Sequence, residues 1–157
     1  MSDPDYKLLD SQLRALLTGE TDALASASNF VALLTQAMDD INWLGIYVLR
    51  DAELVLGPFQ GKPGCVHLNV GRGVCGTAAA LLETQRVADV HDFEGHIACD
   101  ADSRSELVVP LVCGGDLIGV LDIDSPTPGR FNAEDQDGIE RLCASFCELQ
   151  AARDHFI

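Results

Sequence analysis

Glu106-Leu107-Val108-Val109-Pro110-Leu111-Val112-Cys113 and Leu117-Ile118-Gly119-Val120-Leu121-Asp122-Ile123-Asp124 are two apolar runs separated by Gly114-Gly115-Asp116. A glycine pair supplies the backbone freedom a tight hairpin needs, so the runs read as antiparallel strands. In the second run the odd positions are apolar and are expected to face the core. That leaves Asp122 and Asp124 together on the other face. A hairpin centred near residue 115 pairs position 106 with about 124, which puts Glu106 beside both aspartates at one end of a sheet.

Further strands are expected upstream. Residues 42–49 alternate, with Trp43, Gly45 and Tyr47 on one face and Leu44, Ile46 and Val48 on the other. Residues 53–57 form a second strand after the turn Arg50-Asp51-Ala52, and a Gly- and Pro-containing loop over 57–64 leads to a short strand at 65–70. Gly71-Arg72-Gly73 breaks that strand, a helix follows over 74–85, and 86–90 is again a strand. Connections as short as those within 42–57 and 106–124 exclude parallel crossovers.

Helices are expected at both ends. Leu8, Leu9, Leu13, Leu16 and Leu17 recur at helical spacing over 5–17, with Gly19 as a stop. Thr21 or Asp22 caps a second helix running to about Met38, with Leu24, Ala27, Val31, Leu34 and Met38 on one face. Asn132, with Asp135 three residues on, starts the last helix, whose buried stripe is Ile139, Leu142, Cys143, Phe146 and Leu149. The result is an α+β fold, a roughly six-stranded antiparallel sheet flanked by N- and C-terminal helices. Residues 91–104 have no period, and a 14-residue irregular segment in a compact domain is a candidate functional loop.

The chain has 157 residues, 47% hydrophobic and 22% charged, which suits one soluble domain over 1–157 and excludes disordered or coiled-coil chains. No apolar run approaches the ~20 residues that cross a bilayer. The start, Met1-Ser2-Asp3-Pro4-Asp5, has no basic and apolar secretory pattern, so a cytoplasmic setting is expected. A net charge of −15 repels phosphate backbones and anionic lipid, which argues against nucleic acid or membrane as a partner.

Six cysteines stand at 65, 75, 99, 113, 143 and 147 with no CxxC pair, so a disulfide scaffold is not expected. Cys113, Cys143 and Cys147 lie in apolar surroundings and read as small core residues. Cys65, Cys75 and Cys99 adjoin glycines or a polar loop and read as accessible. Cys75 falls at a helix N-terminus, which favours a thiolate; the same N–H groups would also receive a small carboxylate. Gly71-x-Gly73-x-x-Gly76 lacks the βαβ setting of a dinucleotide fingerprint.

Glu106, Asp122 and Asp124 are either a solvated strand end or a cluster whose mutual repulsion raises at least one pKa. Such a cluster suits a hard cation, or a ligand amine together with proton donation to a developing oxyanion. Trp43 and Tyr47 form either a core pair or an apolar wall beside it. Cys65-x-His67 and His96-x-x-Cys99 offer a weak zinc set.

Several motifs in order carry a specific resemblance. Gly57-Pro58-Phe59-Gln60-Gly61-Lys62-Pro63-Gly64-Cys65, Gly73-Val74-Cys75-Gly76, Asp89-Val90-His91-x-Phe93-x-Gly95-His96-Ile97-Ala98-Cys99-Asp100, Ser105-Glu106 and Leu121-Asp122-Ile123-Asp124-Ser125 together resemble the free methionine-(R)-sulfoxide reductase family. That family is built on the GAF domain. One departure is Gly64, where the family pattern has Ala.

The resemblance implies a thiol-dependent reductase acting on free methionine (R)-sulfoxide. Cys99 would be the nucleophile and pass through a sulfenic acid. Cys65 would resolve it as a Cys65–Cys99 disulfide, with Cys75 a second candidate partner. Glu106, Asp122 and Asp124 would surround the sulfoxide and the polar end of the substrate, while Trp43 and Tyr47 contact the S-methyl side. No metal or other cofactor is implied. Thioredoxin would be the reductant, and the sequence leaves a homodimer open. Two alternatives are a non-catalytic GAF-type sensor of a small ligand and a zinc protein using Cys65, His67, His96 and Cys99.

Overall fold

The structure, a computed structural model, describes residues 3–150. Met1 and Ser2 of the expected acidic start, and the last seven residues of the domain expected over 1–157, lie outside the described residues. The elements in chain order are α1 (Tyr6–Leu17), α2 (Ala23–Ala37), β1 (Trp43–Arg50), β2 (Glu53–Gly61), β3 (His67–Asn69), α3 (Gly73–Leu81), β4 (Gln85–Val87), β5 (Ser105–Cys113), β6 (Asp116–Ser125) and α4 (Ala133–Gln150). A one-turn 3₁₀ helix spans Val90–Asp92. Six strands form one sheet in the order β3-β2-β1-β6-β5-β4, every neighbouring pair antiparallel. Among the described residues no helix is long and apolar enough to cross a membrane.

Local chemistry explains the helix ends. Asp5 and Asp22 accept from the N–H groups of Leu8 and Ala25, which caps α1 and α2. At α4 the expected box forms: Asp135 N–H donates to Asn132 Oδ1 at 2.8 Å, and Asn132 N–H donates to Asp135 Oδ2 at 3.0 Å. The third helix stops four residues earlier than its composition predicts, because Leu82 turns into the left-handed region at φ 55°. β2 runs on to Gly61, so the first half of the predicted 57–64 loop is strand, paired to β1 through Trp43↔Gly61.

Both sheet faces are covered, and this corrects the one-sided pattern expected of β6. Leu121 and Ile123 face a core built with Leu44, Ile46, Val48, Leu13, Phe30 and Phe146. The opposite face, where the aspartates lie, carries a second core of Trp43, Tyr47, Leu54, Leu68, Val108 and Val120 with Val74, Cys75 and Ala78 of α3. A register shift after Leu111↔Gly119 moves Ile118 to the first core and Leu117 to the second, against strict alternation. Phe30, not Leu24, is the large buried residue of α2, and its ring stacks on Phe146 at 4.7 Å. Leu8 and Leu16 of α1 remain exposed.

The α1–α4 contact yields the first expected outcome. A Cβ at Gly138 would lie 2.2 Å from Cγ of Tyr6, whose hydroxyl donates to Asp135 Oδ1 at 2.7 Å and fixes the ring. In an unobstructed helix Gly→Ala gains about 1 kcal/mol. Here Gly138→Ala should instead lose about 1–3 kcal/mol through overpacking, measured by urea unfolding.

Candidate active site

Strand register builds the site floor. Trp43 of β1 pairs with Asp124 of β6, and Asp124 pairs in turn with Glu106 of β5, so three side chains share one row. The next row is Gly45, Asp122 and Val108. Adjacent strands lie ≈ 4.8 Å apart, which forces the acids together. Gly45 leaves the space that Trp43 and Phe59 need: a Cβ there would lie 2.7 Å from the Trp43 ring and 2.5 Å from Cβ of Phe59.

Glu106 and Asp122 are each only 6% exposed, and Cys75 is 5% exposed against them. The Cys75 thiol points at Glu106 Oε1 across 3.9 Å. One carboxylate oxygen each of Asp122 and Asp124 is buried with no hydrogen-bond partner. Unpaired buried oxygens are costly, and they mark a place where a donor-bearing molecule fits.

A cavity of ≈ 420 Å³, including its open mouth, lies over this floor. Its walls include Tyr47, the first turn of α3 at Gly73-Val74-Cys75, and His96, Ile97, Cys99, Asp100 and Ser103 of the irregular segment. A smaller lobe between Trp43, Tyr47, Pro63, Gly64 and Cys99 adjoins it. No side chain caps the N-terminus of α3. Trp43 stacks on Tyr47 and Phe59, with ring centroids 5.7 and 5.4 Å away. The two aromatics also hold the Cys65 loop: Trp43 Nε1 donates to the Lys62 carbonyl and Tyr47 Oη to the Cys65 carbonyl, each at 3.0 Å.

Cys99, in the cavity wall, is disulfide-bonded to Cys65, with Cα atoms 5.4 Å apart. The Lys62–Asp102 ion pair, at 2.6 Å, ties together the same two loops.

The chain is similar to GAF-domain proteins of several names. Residues 12–149 match the GAF domain family. The chain is 53% identical to the free methionine-R-sulfoxide reductase of Escherichia coli, over 96% of this chain and 91% of that protein. It is 43% identical to the yeast protein of the same name, over 81% of this chain and 75% of that one. The solved free methionine-R-sulfoxide reductase of Neisseria meningitidis, in complex with its substrate, superposes with a TM-score of 0.89 at 38% identity, covering 95% of this chain and 92% of that one. The chain belongs to the free methionine-R-sulfoxide reductase family of GAF domains.

In this member of the reductase family the electrostatics favour the cluster reading of the acids and overturn the expectation for Cys75. Burial first, and then Asp122 and Asp124, push the Glu106 carboxyl well above the ordinary carboxylate range. Asp124 is also raised by burial and by Asp122, with Ser103 pulling the other way through a hydrogen bond. Asp122 is raised by burial, partly offset by hydrogen bonds from Glu106 and Cys75. The strand end is therefore not a row of freely solvated acids. Cys75 is buried rather than accessible. Burial, then Asp122 and Glu106, push its thiol up, which outweighs the helix N-terminus expected to favour a thiolate.

The zinc set does not assemble. Cys65 and Cys99 are bonded to each other, and His67 Nδ1 lies 2.8 Å from Glu53 Oε1. Among the described residues the one group with metal-ligand spacing is Cys75, Glu106 and Asp122, inside the cavity floor. The cysteine sorting also needs correction: Cys113 and Cys147, expected as core residues without a disulfide, are bonded to each other.

Asn42, Asp100 and Ser103 were not among the residues expected at the site. Asn42 Nδ2 donates to Asp100 Oδ2 at 3.1 Å and to Ser103 Oγ at 3.0 Å, pinning the Cys99 segment to the start of β1. Their sequence signal is slight, because two of them lie in the aperiodic segment and the third just before a strand.

Proposed function

We propose that the chain reduces free methionine (R)-sulfoxide to methionine, with Cys99 as nucleophile. The observation that carries this is that Cys99, disulfide-bonded to Cys65, lines a cavity floored by Glu106, Asp122 and Asp124. The thiol of Cys99 attacks the sulfoxide sulfur while Glu106, held neutral by burial, protonates the oxygen. The attack forms a transient bond between the two sulfurs. The protonated oxygen then passes to the Cys99 sulfur as that bond and the substrate S–O bond break, methionine leaves, Cys99 becomes a sulfenic acid and the Cys99 proton returns to Glu106. Cys65 attacks that sulfur, water leaves, and the disulfide forms. Cys75 is kept as a second candidate partner, though its buried protonated thiol is a poor nucleophile. A dithiol reductant, which we take to be thioredoxin in the cytoplasm, restores both thiols by exchange.

The substrate's ammonium fits the acidic floor and offsets its remaining charge. Its carboxylate fits the uncapped first turn of α3, and its S-methyl group fits the lobe walled by Trp43 and Tyr47. The 91–104 segment acts as the lid. A methionine within a peptide has neither terminal charge, and its flanking chain meets that lid.

Thioredoxin-coupled turnover of the free R and S sulfoxides and of an internal peptide sulfoxide tests the proposal. We expect the free R form to be reduced at least about 10²-fold faster than either other substrate, equivalent to about 2.7 kcal/mol in the transition state. Equal rates for the peptide would overturn the closed pocket. No thiol loss with any sulfoxide would point to the ligand sensor instead.

A further inference from the structure

Cys113 ends β5 at the Gly114-Gly115 hairpin, and Cys147 lies in the last turn of α4. Neither lines the cavity described above. Cys113 is seven residues along β5 from Glu106, about 23 Å in an extended strand. The two Cα atoms are 4.7 Å apart and the sulfurs are bonded, a separation that suits a disulfide. Cys113 is partly exposed, whereas Cys147 is buried. A groove of mixed character, lined by Val109, Pro110 and Val112 together with Glu83, Gln136 and Glu140, opens beside Cys147. Cys143, one helical turn before Cys147, remains a free thiol, and burial pushes its pKa up.

We propose that Cys113 and Cys147 are a second redox site, oxidised by peroxide to a reversible disulfide that clamps α4 to the end of β5. The Cys113 thiolate attacks one oxygen of hydrogen peroxide, the O–O bond breaks, hydroxide leaves and Cys113 becomes a sulfenic acid. The Cys147 thiol then attacks that sulfur, the S–S bond forms, the S–O bond breaks and water leaves. Two thiols are oxidised and one peroxide is reduced to two waters. An external dithiol reverses the step by exchange. The difference in exposure sets the order: Cys113 meets the oxidant and Cys147 resolves it. Cys143 stays protonated within the core and takes no part.

The bond spans a sequence separation of 34 residues, enclosing β6 and most of α4. Closing a loop of that length restricts the unfolded chain, so oxidation should raise Tm by about 8–15 °C. The fold would then be most stable under the peroxide load that also generates sulfoxides. This inference stands apart from the reductase reading, because its test uses a chain without Cys65 and Cys99.

The full-length Cys65→Ser/Cys99→Ser variant is reduced with dithiothreitol, freed of it, and treated with one equivalent of hydrogen peroxide. We expect two thiols to disappear, a non-reduced peptide map to link 113 with 147, and the rise in Tm to reverse on dithiothreitol. Adding Cys113→Ser should remove the Tm response; if that chain does not fold, Cys147→Ala serves in its place. Persisting thiols, a link through Cys143 or to a second chain, or an unchanged Tm would each overturn the proposal.

Discussion

Cys99→Ser should lose at least about 10³-fold in turnover of free methionine (R)-sulfoxide, because a serine hydroxyl at its ordinary pKa is a far weaker nucleophile than a thiol. Cys65→Ser should behave differently. Its Cys99 can still take the oxygen, so a single-turnover experiment without reductant should release about one methionine per chain, after which recycling by a dithiol is slow. The contrast separates attack from resolution, since a general packing defect would lower both phases together. Cys99 lines the cavity and Cys65 is bonded to it, both in partly buried loops where a serine replaces each thiol with little change of volume. Steady turnover of Cys99→Ser at the wild-type rate would remove Cys99 from the chemistry. A full burst with undiminished recycling in Cys65→Ser would pass the resolving role to Cys75.

Glu106→Gln should lower kcat by about 10²–10⁴-fold while raising stability above neutral pH. The amide keeps the shape of the neutral carboxyl and cannot give up its proton. The sign for stability follows from the raised pKa of Glu106 in the fold. Its contribution is fully present below the unfolded pKa of about 4.3 and is lost as pH rises through the folded value. Glutamine never ionises, so Tm of the variant and of the wild type should agree near pH 4. They should then diverge toward pH 8, with the variant higher by at least about 2–4 °C for each kcal/mol. Asp122 and Asp124 are raised too, so some decline with pH remains in the variant, and the apparent pKa values belong to the cluster. Wild-type kcat/KM should fall as pH rises through the raised pKa of Glu106, as the proton donor is lost. Parallel Tm curves from pH 4 to 8 would show that Glu106 is ionised in the fold.

The same three acids separate what local pattern conveys from what it does not. Glu106 opposite Asp124 was legible, because residue numbers across a short antiparallel hairpin sum to a nearly constant value. Their burial was not. Alternation assigns Asp122 and Asp124 to a face, yet nothing within β6 says that α3 and the 91–104 segment cover that face. Cys75 shows the same gap: its place at a helix start was legible, while the acids that overrule the helix dipole come from strands more than 30 residues away in sequence.

Periodicity, glycine pairs and caps thus determined the elements, the antiparallel hairpins and the row of acids, since each depends on neighbours within a few residues. Ordered motifs added the family. Tertiary structure alone decided that β1 lies beside β6, which brings Trp43 into line with Asp124 and Glu106. It also decided that Cys113 meets Cys147, and that Asn42 holds the Cys99 segment. The physical reason is desolvation. A carboxyl's or thiol's proton affinity depends on everything that excludes water from it, and those groups converge only when distant segments pack.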